Sequence, residues 1–431
     1  MRAVVHASLL SLFILGAGAG ISGAAEPVTS ASITHPRVVV TFANVPRQSP
    51  GPAGSTGRRY AGDGYLLAQS AHSDAKRVAA KYSLREVANW PIRSLAIHCV
   101  VYEIPDDRTV TVVLAQLQED STVALAEPLS EFHTLSDAKP PAAAASTPYN
   151  DPLYDLQTNL PALGIATAHE RSQGSGVRIA LIDTGVDVRH PDLRGRIVKT
   201  RSFVDHHALS AASYRHGTAM AGLIAAVANN HVGIVGIAPL AQLEVFEACW
   251  QLRPDNDEAV CNTFTLAKAL AAALDSGITL VNMSIAGPQD PLLASLINVA
   301  IKRGVTFVGA VAEPADTFPT GIAGVIAAQG QQHSLRADAF SVPANHILTL
   351  RPDGQYDFES GTSVAAAELT GIVALLMSSA DTHLTTGTVV SLLKATEETG
   401  APPAGAINVN EALSKLDLEQ HRGRVAARDV H

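Results

Sequence analysis

Residues 177–191 read VRIALIDTGVDVRHP. The apolar run 177–182 has the length and composition of a buried strand, and Asp183 stands at its end, immediately before a Thr184-Gly185 turn. Two later segments carry a comparable signature. Residues 214–226, YRHGTAMAGLIAA, set His216 at the head of a small-residue helix expected to end near Asn229. Residues 359–376, ESGTSVAAAELTGIVALL, set Ser363 at the head of another, with apolar positions at Val364, Leu369, Ile372, Val373 and Leu376. A serine hydroxyl is a weak nucleophile until an imidazole takes its proton, and the imidazole needs a carboxylate to hold its tautomer. One residue for each role is present, in the order Asp…His…Ser, which differs from the orders of α/β-hydrolases and chymotrypsin-like proteases. Taken singly, Ser363 reads as a helix N-cap and His216 as a core histidine. Their joint context points to catalysis.

Two further blocks lie between them, GIVGIAP at 233–239 and VNMSIAGP at 281–288. The five blocks in this order resemble the subtilisin-like serine protease family over residues 151–416. The resemblance implies an α/β fold with a mainly parallel sheet flanked by helices. It implies a serine endopeptidase working through an acyl-enzyme, with Asp183, His216 and Ser363 as catalytic residues. Thr362 would belong to the oxyanion region. Ser284, Ile285, Ala286 and Gly287 would line the substrate cleft, their backbone pairing with an extended peptide. Ala286 replaces a glycine, hinting at a small or slim side chain before the scissile bond. Such chemistry needs no cofactor. Family members often bind calcium, but no Asp/Asn-rich loop here specifies a metal site.

The blocks also make physical sense. A nucleophile in the first turn of a helix lies among free N–H groups and the positive end of the dipole, which favour an oxyanion. Gly361 allows close backbone approach, and the alanines after His216 allow tight helix packing.

One position departs from the family. In the family, a strand like the run 304–312 leads to an asparagine that completes the oxyanion hole; the ungapped alignment puts Glu313 there and a one-residue shift puts Ala312, and no asparagine lies between Asn298 and Asn345. Loss of that donor costs about 10²–10³ in kcat in this family. An ionised Glu313 would repel the oxyanion, whereas a buried, protonated one could donate to it. Three outcomes follow: a slower enzyme, an enzyme favouring mildly acid pH, or a non-catalytic homologue serving as a peptide-binding or scaffolding protein. A milder departure is Ala366-Ala367-Glu368, where the family carries a proline.

The 431 residues are enough for two domains and accessory segments, and 47% apolar with 16% charged suits a large core. A net charge of −9 without a Lys/Arg cluster argues against nucleic acid as a partner. Residues 1–25 read as an export signal, making the mature protein secreted or periplasmic, with no later stretch resembling a membrane span. Residues 36–135 show strand, helix, strand, helix, strand at 37–42, 64–82, 94–102, 110–119 and 121–127, which resembles the family's inhibitory propeptide, a small α+β ferredoxin-like fold. An Ala/Pro-rich linker at 136–148 holds or adjoins the processing site. The catalytic domain would span 149–416 and a polar, mobile tail 417–431. Partners are then protein or peptide substrates and the chain's own propeptide. Cys249 and Cys261 flank a polar insertion and form either a disulfide or two buried thiols, and Cys99 is left over in a strand. His206-His207 beside Asp205 reads as a solvated loop.

Overall fold

A computed structural model describes residues 35–44, 69–133, 148–204, 214–251, 259–314, 317–331, 336–397 and 407–428. The proposed export signal, all of the Ala/Pro-rich linker but its last residue, and the Asp205–His207 stretch lie outside these residues.

The N-terminal part comprises β1 (Arg37–Ala43), α1 (Gln69–Lys81), β2 (Arg85–Ile92), β3 (Ile97–Glu103), α2 (Val110–Gln118) and β4 (Leu125–Pro128). The strands form one antiparallel sheet in the order β2-β3-β1-β4. Sequence pattern missed β2, because REVANWPI is largely exposed and lacks apolar alternation. It completes the β-α-β-β-α-β order of a ferredoxin-like fold. Both faces of this sheet are covered. Val38, Val40, Phe42, Val100 and Tyr102 pack on α1 and α2. Val39, Cys99 and Val101 point the other way, into a core shared with the rest of the chain.

After β5 (Glu131–His133) come α3 (Asn159–Leu163), α4 (Ile165–His169), β6 (Arg178–Asp183), β7 (Ile197–Ser202), α5 (Arg215–Ala225) and β8 (Gln242–Glu247). A hairpin of β9 (Cys249–Gln251) and β10 (Ala259–Asn262) leads to α6 (Thr263–Asp275), β11 (Leu280–Met283) and α7 (Pro291–Lys302). Then follow β12 (Thr306–Ala310), β13 (Val325–Gly330), β14 (Phe340–Val342), and the hairpin β15 (Ile347–Arg351) and β16 (Gln355–Glu359). Three helices close the chain: α8 (Thr362–Ser379), α9 (Thr386–Glu397) and α10 (Val409–Arg428).

Seven strands form a parallel sheet in the order β14-β13-β12-β11-β6-β8-β7. Continuous apolar runs are what a sheet covered on both faces requires. In β6, Ile179 and Leu181 join the core containing α5 and α8, while Ala180 and Ile182 join the one containing α6 and α7. From β6 the chain builds β7 and β8 on one side, then crosses through α6 to β11 and builds outward on the other. Ligands of such sheets bind beyond the C-terminal ends of the strands where the order reverses, here β6 and β11.

Several expectations are corrected. Helix α5 ends at Ala225, not near Asn229, because Ala226 turns to extended backbone and Val227 N–H donates to Asp192 O. The polar stretch read as a mobile tail continues α10 as helix to Arg428, beyond the residues that helix buries, Val409, Ala412, Leu413 and Leu416. Helix α8 is long and apolar enough by composition to cross a membrane, but 78% of it is buried, as a helix surrounded by core should be. Cys249 and Cys261 face each other across β9 and β10 and are joined in a disulfide. Cys99 lies on the sheet face turned towards α6 and α7.

Candidate active site

Asp183 ends β6 with its side chain fully buried. Its carboxylate accepts from Thr184 N–H (2.6 Å) and lies 2.8 and 2.9 Å from His216 Nδ1. A carboxylate on Nδ1 fixes the hydrogen there and leaves the lone pair of the neutral ring on Nε2. His216 sits in the first turn of α5, pinned to the 183–185 turn by Gly217 N–H donating to Thr184 Oγ1 at 2.9 Å. A Cβ at Gly217 would stand 2.6 Å from Gly185 O and 2.7 Å from Thr184 O, so only glycine permits this approach. That is the local reason for the His-Gly-Thr signature.

Ser363 is the second residue of α8, which begins after Gly361 at φ +124°, a conformation suited to glycine. Its Oγ donates to Ser284 O, and Ser284 Oγ donates to Ser363 O, both at 2.9 Å. Asn282 Nδ2 supports Ser284 Oγ (3.0 Å), while Asn282 Oδ1 accepts from Thr370 on α8 (2.8 Å). These bonds clamp the head of α8 to the end of β11. The pairing of Asn282 with Leu181 brings Ser284 level with Asp183 on the neighbouring strand. Ser363 Oγ is held on Ser284 O just past β11, and the Asp183–His216 pair lies at the end of the adjacent β6, both at the strand-order reversal. Sequence reading missed the positioning by Asn282, Ser284 Oγ and Thr370. The one local signal was a polar Asn282 inside β11, a strand whose other residues are apolar.

The remaining expectations fare unequally. Thr362 Oγ1 is buried without a hydrogen-bond partner among the described residues, next to Ser363. Ile285 is fully buried in the α6/α7 core, so only its backbone is available to a substrate. Ala286 is also buried, and Gly287 exchanges two backbone hydrogen bonds with Phe318 (3.1 and 2.9 Å). Glu313 follows β12 with its side chain exposed.

For calcium, no group of three or more Asp, Glu, His or Cys side chains able to hold a metal occurs among the described residues. Asp151 and Asp192 come together around residues 229–234. Their oxygens accept from the N–H groups of Asn229, Asn230 and Ile234 and from the Asn230 amide. Those donors answer the carboxylates without a cation.

The family model described as "Subtilase family" matches residues 174–314 and 315–415. The chain belongs to the subtilase family. Thermitase of Thermoactinomyces vulgaris is 30% identical over 244 residues, covering 53% of this chain and 85% of thermitase. The thermophilic serine proteinase of Bacillus sp. (strain AK1) is 33% identical over 218 residues, covering 47% of this chain and 53% of that proteinase. Among solved structures, fervidolysin of Fervidobacterium pennivorans, a keratinolytic enzyme related to subtilisin, superposes with a TM-score of 0.67 at 20% identity. The match covers 88% of this subtilase and 61% of fervidolysin, and it supports the fold.

Proposed function

We propose that this subtilase is a secreted serine endopeptidase made as an inactive precursor, with Ser363 as nucleophile, His216 as base and Asp183 as its orienting partner. The observation that carries the reading is the Asp183–His216 contact at the C-terminal ends of the strands where Ser363 begins α8. In the first step Ser363 Oγ turns from Ser284 O to His216 Nε2 and attacks the peptide carbonyl carbon. The proton passes to Nε2, and the oxyanion meets Ser363 N–H and the Thr362 hydroxyl. The C–N bond breaks as His216 returns the proton to the leaving amine. Water, deprotonated by the same imidazole, then hydrolyses the ester and restores Ser363.

Residues 36–135 are read as the inhibitory propeptide. In support, β5 runs antiparallel along β10, pairing His133 with Val260 and Cys261 with Phe132. An extended peptide added to a sheet edge is also how a substrate would bind there. Asp183, His216 and Ser363 are all buried in this form. The processing bond would then lie between His133 and Tyr149, whose hydroxyl is latched to His169 Nδ1 at 2.7 Å.

A fluorophosphonate probe tests the reading. It should label the wild type and fail with Ser363→Ala. No labelling and no self-cleavage in folded wild-type material would replace the enzyme with a peptide-binding homologue.

A further inference from the structure

We propose that the N-terminal sheet docks on the catalytic domain with Glu127 buried as the neutral acid beside Asp290, so that rising pH weakens the docking. This rests on the reading of residues 36–135 as a removable inhibitor.

Glu127 lies on β4 opposite Val39, on the sheet face that packs against α6 and α7. It is 5% exposed, and its Oε2 accepts from Leu292 N–H at the head of α7 (3.4 Å). Asp290 is the N-cap of α7 and 2% exposed. Its Oδ1 accepts from Leu293 N–H (2.9 Å) and its Oδ2 from Thr263 Oγ1 (2.6 Å). Thr263, at the head of α6, also exchanges hydrogen bonds with the Ser130 backbone (3.0 and 3.1 Å). The two carboxyls, one from each side of the interface, accept from neighbouring amides at the head of the same helix, those of Leu292 and Leu293.

Two carboxylates buried this close would repel each other and lose their hydration, so a proton on the less well-partnered one is favoured. Asp290 accepts two hydrogen bonds at the head of α7. Glu127 Oε1 is buried and receives no hydrogen bond from a described group, as expected of an oxygen that carries a hydrogen itself. The surroundings agree. Burial, then the nearby Asp290, push the Glu127 carboxyl up to about 9. The other titratable group facing it is the Cys99 thiol on β3, which burial keeps protonated. Arg37 on β1 is paired with Glu103, and Glu127 has no basic partner among the described residues.

The sign follows from linkage. In the detached sheet Glu127 faces water and ionises near the usual glutamate value of about 4.3. Docking therefore takes up a proton. It is strongest below that value and weakens by up to about tenfold per pH unit as pH rises towards the docked value. A slightly alkaline exterior would thus favour release of the inhibitor once the linker is cut.

The test uses the full chain carrying Ser363→Ala, so that self-cleavage cannot intervene. Hydrogen exchange at the Leu292 and Leu293 amides and in β4, corrected for intrinsic rates, reports opening of the interface from about pH 6 to about pH 9. Opening should rise by up to about tenfold per pH unit with Glu127 present and stay flat with Glu127→Gln, which mimics the neutral acid. Asp290→Asn keeps a good N-cap and should shrink the slope without abolishing it, since burial is the larger cause. Equal slopes in all three chains would overturn the proposal. Absence of cleavage when Ser363 is intact would instead sink the inhibitor reading, leaving the exchange result to decide the protonation of Glu127 by itself.

Discussion

Two carboxyls, Asp183 at the end of β6 and Glu368 in the middle of α8, are equally buried and serve opposite purposes. Asp183 is met by Thr184 N–H and by His216 Nδ1, so its charge is answered by groups that need an acceptor. Glu368 is met by a single amide, Asn159 Nδ2 at 2.7 Å, and its second oxygen receives no hydrogen bond from a described group. Burial therefore pushes Glu368 well above the carboxylate range, and it rests as the neutral acid. Whether a buried acid acts as an electrostatic partner or as a packed polar group depends on the donors around it.

The largest test of that contrast is Asp183→Asn. The isosteric amide fits the cavity but turns an NH2 or a neutral oxygen towards His216, so the tautomer is no longer held. We expect a loss of about 10⁴ in kcat on a peptide substrate, with little change in KM. A loss below about tenfold would mean that Asp183 merely packs against the ring.

A third acid, Glu313, sharpens the comparison because it is exposed. It would place a carboxyl where the family offers an amide donor. Glu313→Asn should raise kcat by about 10² if the side chain reaches the substrate carbonyl. An unchanged rate would show that the turn after β12 carries residue 313 away from the cleft.

The contrast also explains how much could be read from sequence. Asp183, His216 and Ser363 were legible because each is fixed by its neighbours. Gly217 is needed for the close approach to Thr184, and Gly361 for the turn into α8. The parallel sheet followed from apolar runs such as 177–182, whose two faces are both covered. Strand β2 was not legible, since an exposed edge strand carries no alternation. Nor was the helical end of α10, a mostly polar segment whose described residues beyond Leu416 bury nothing. The pairing of Asn282 with Thr370, and of Glu368 with Asn159, depends on contacts between distant segments. Nothing local in the sequence encodes those partners.

Glu368→Gln is the smallest effect and isolates the second acid. In the folded chain Glu368 holds its proton at pH values where the unfolded chain, ionising near about 4.3, has lost it. Its contribution to stability is therefore complete below that value and declines as pH rises towards the folded-state value, by up to about 1.4 kcal/mol per pH unit. Glutamine keeps the acceptor for Asn159 Nδ2 and offers its own NH2 to Asn159 Oδ1, which has no donor among the described residues. It has no proton to lose in this range. With Ser363→Ala as background to prevent self-digestion, the two chains should melt together at about pH 5. At about pH 9 the glutamine variant should melt a few degrees higher. Glu127 is common to both chains, so its own pH effect cancels in the difference. Parallel melting curves across that range would mean that Glu368 is ionised in the fold, and that a single amide suffices to keep a buried carboxylate charged.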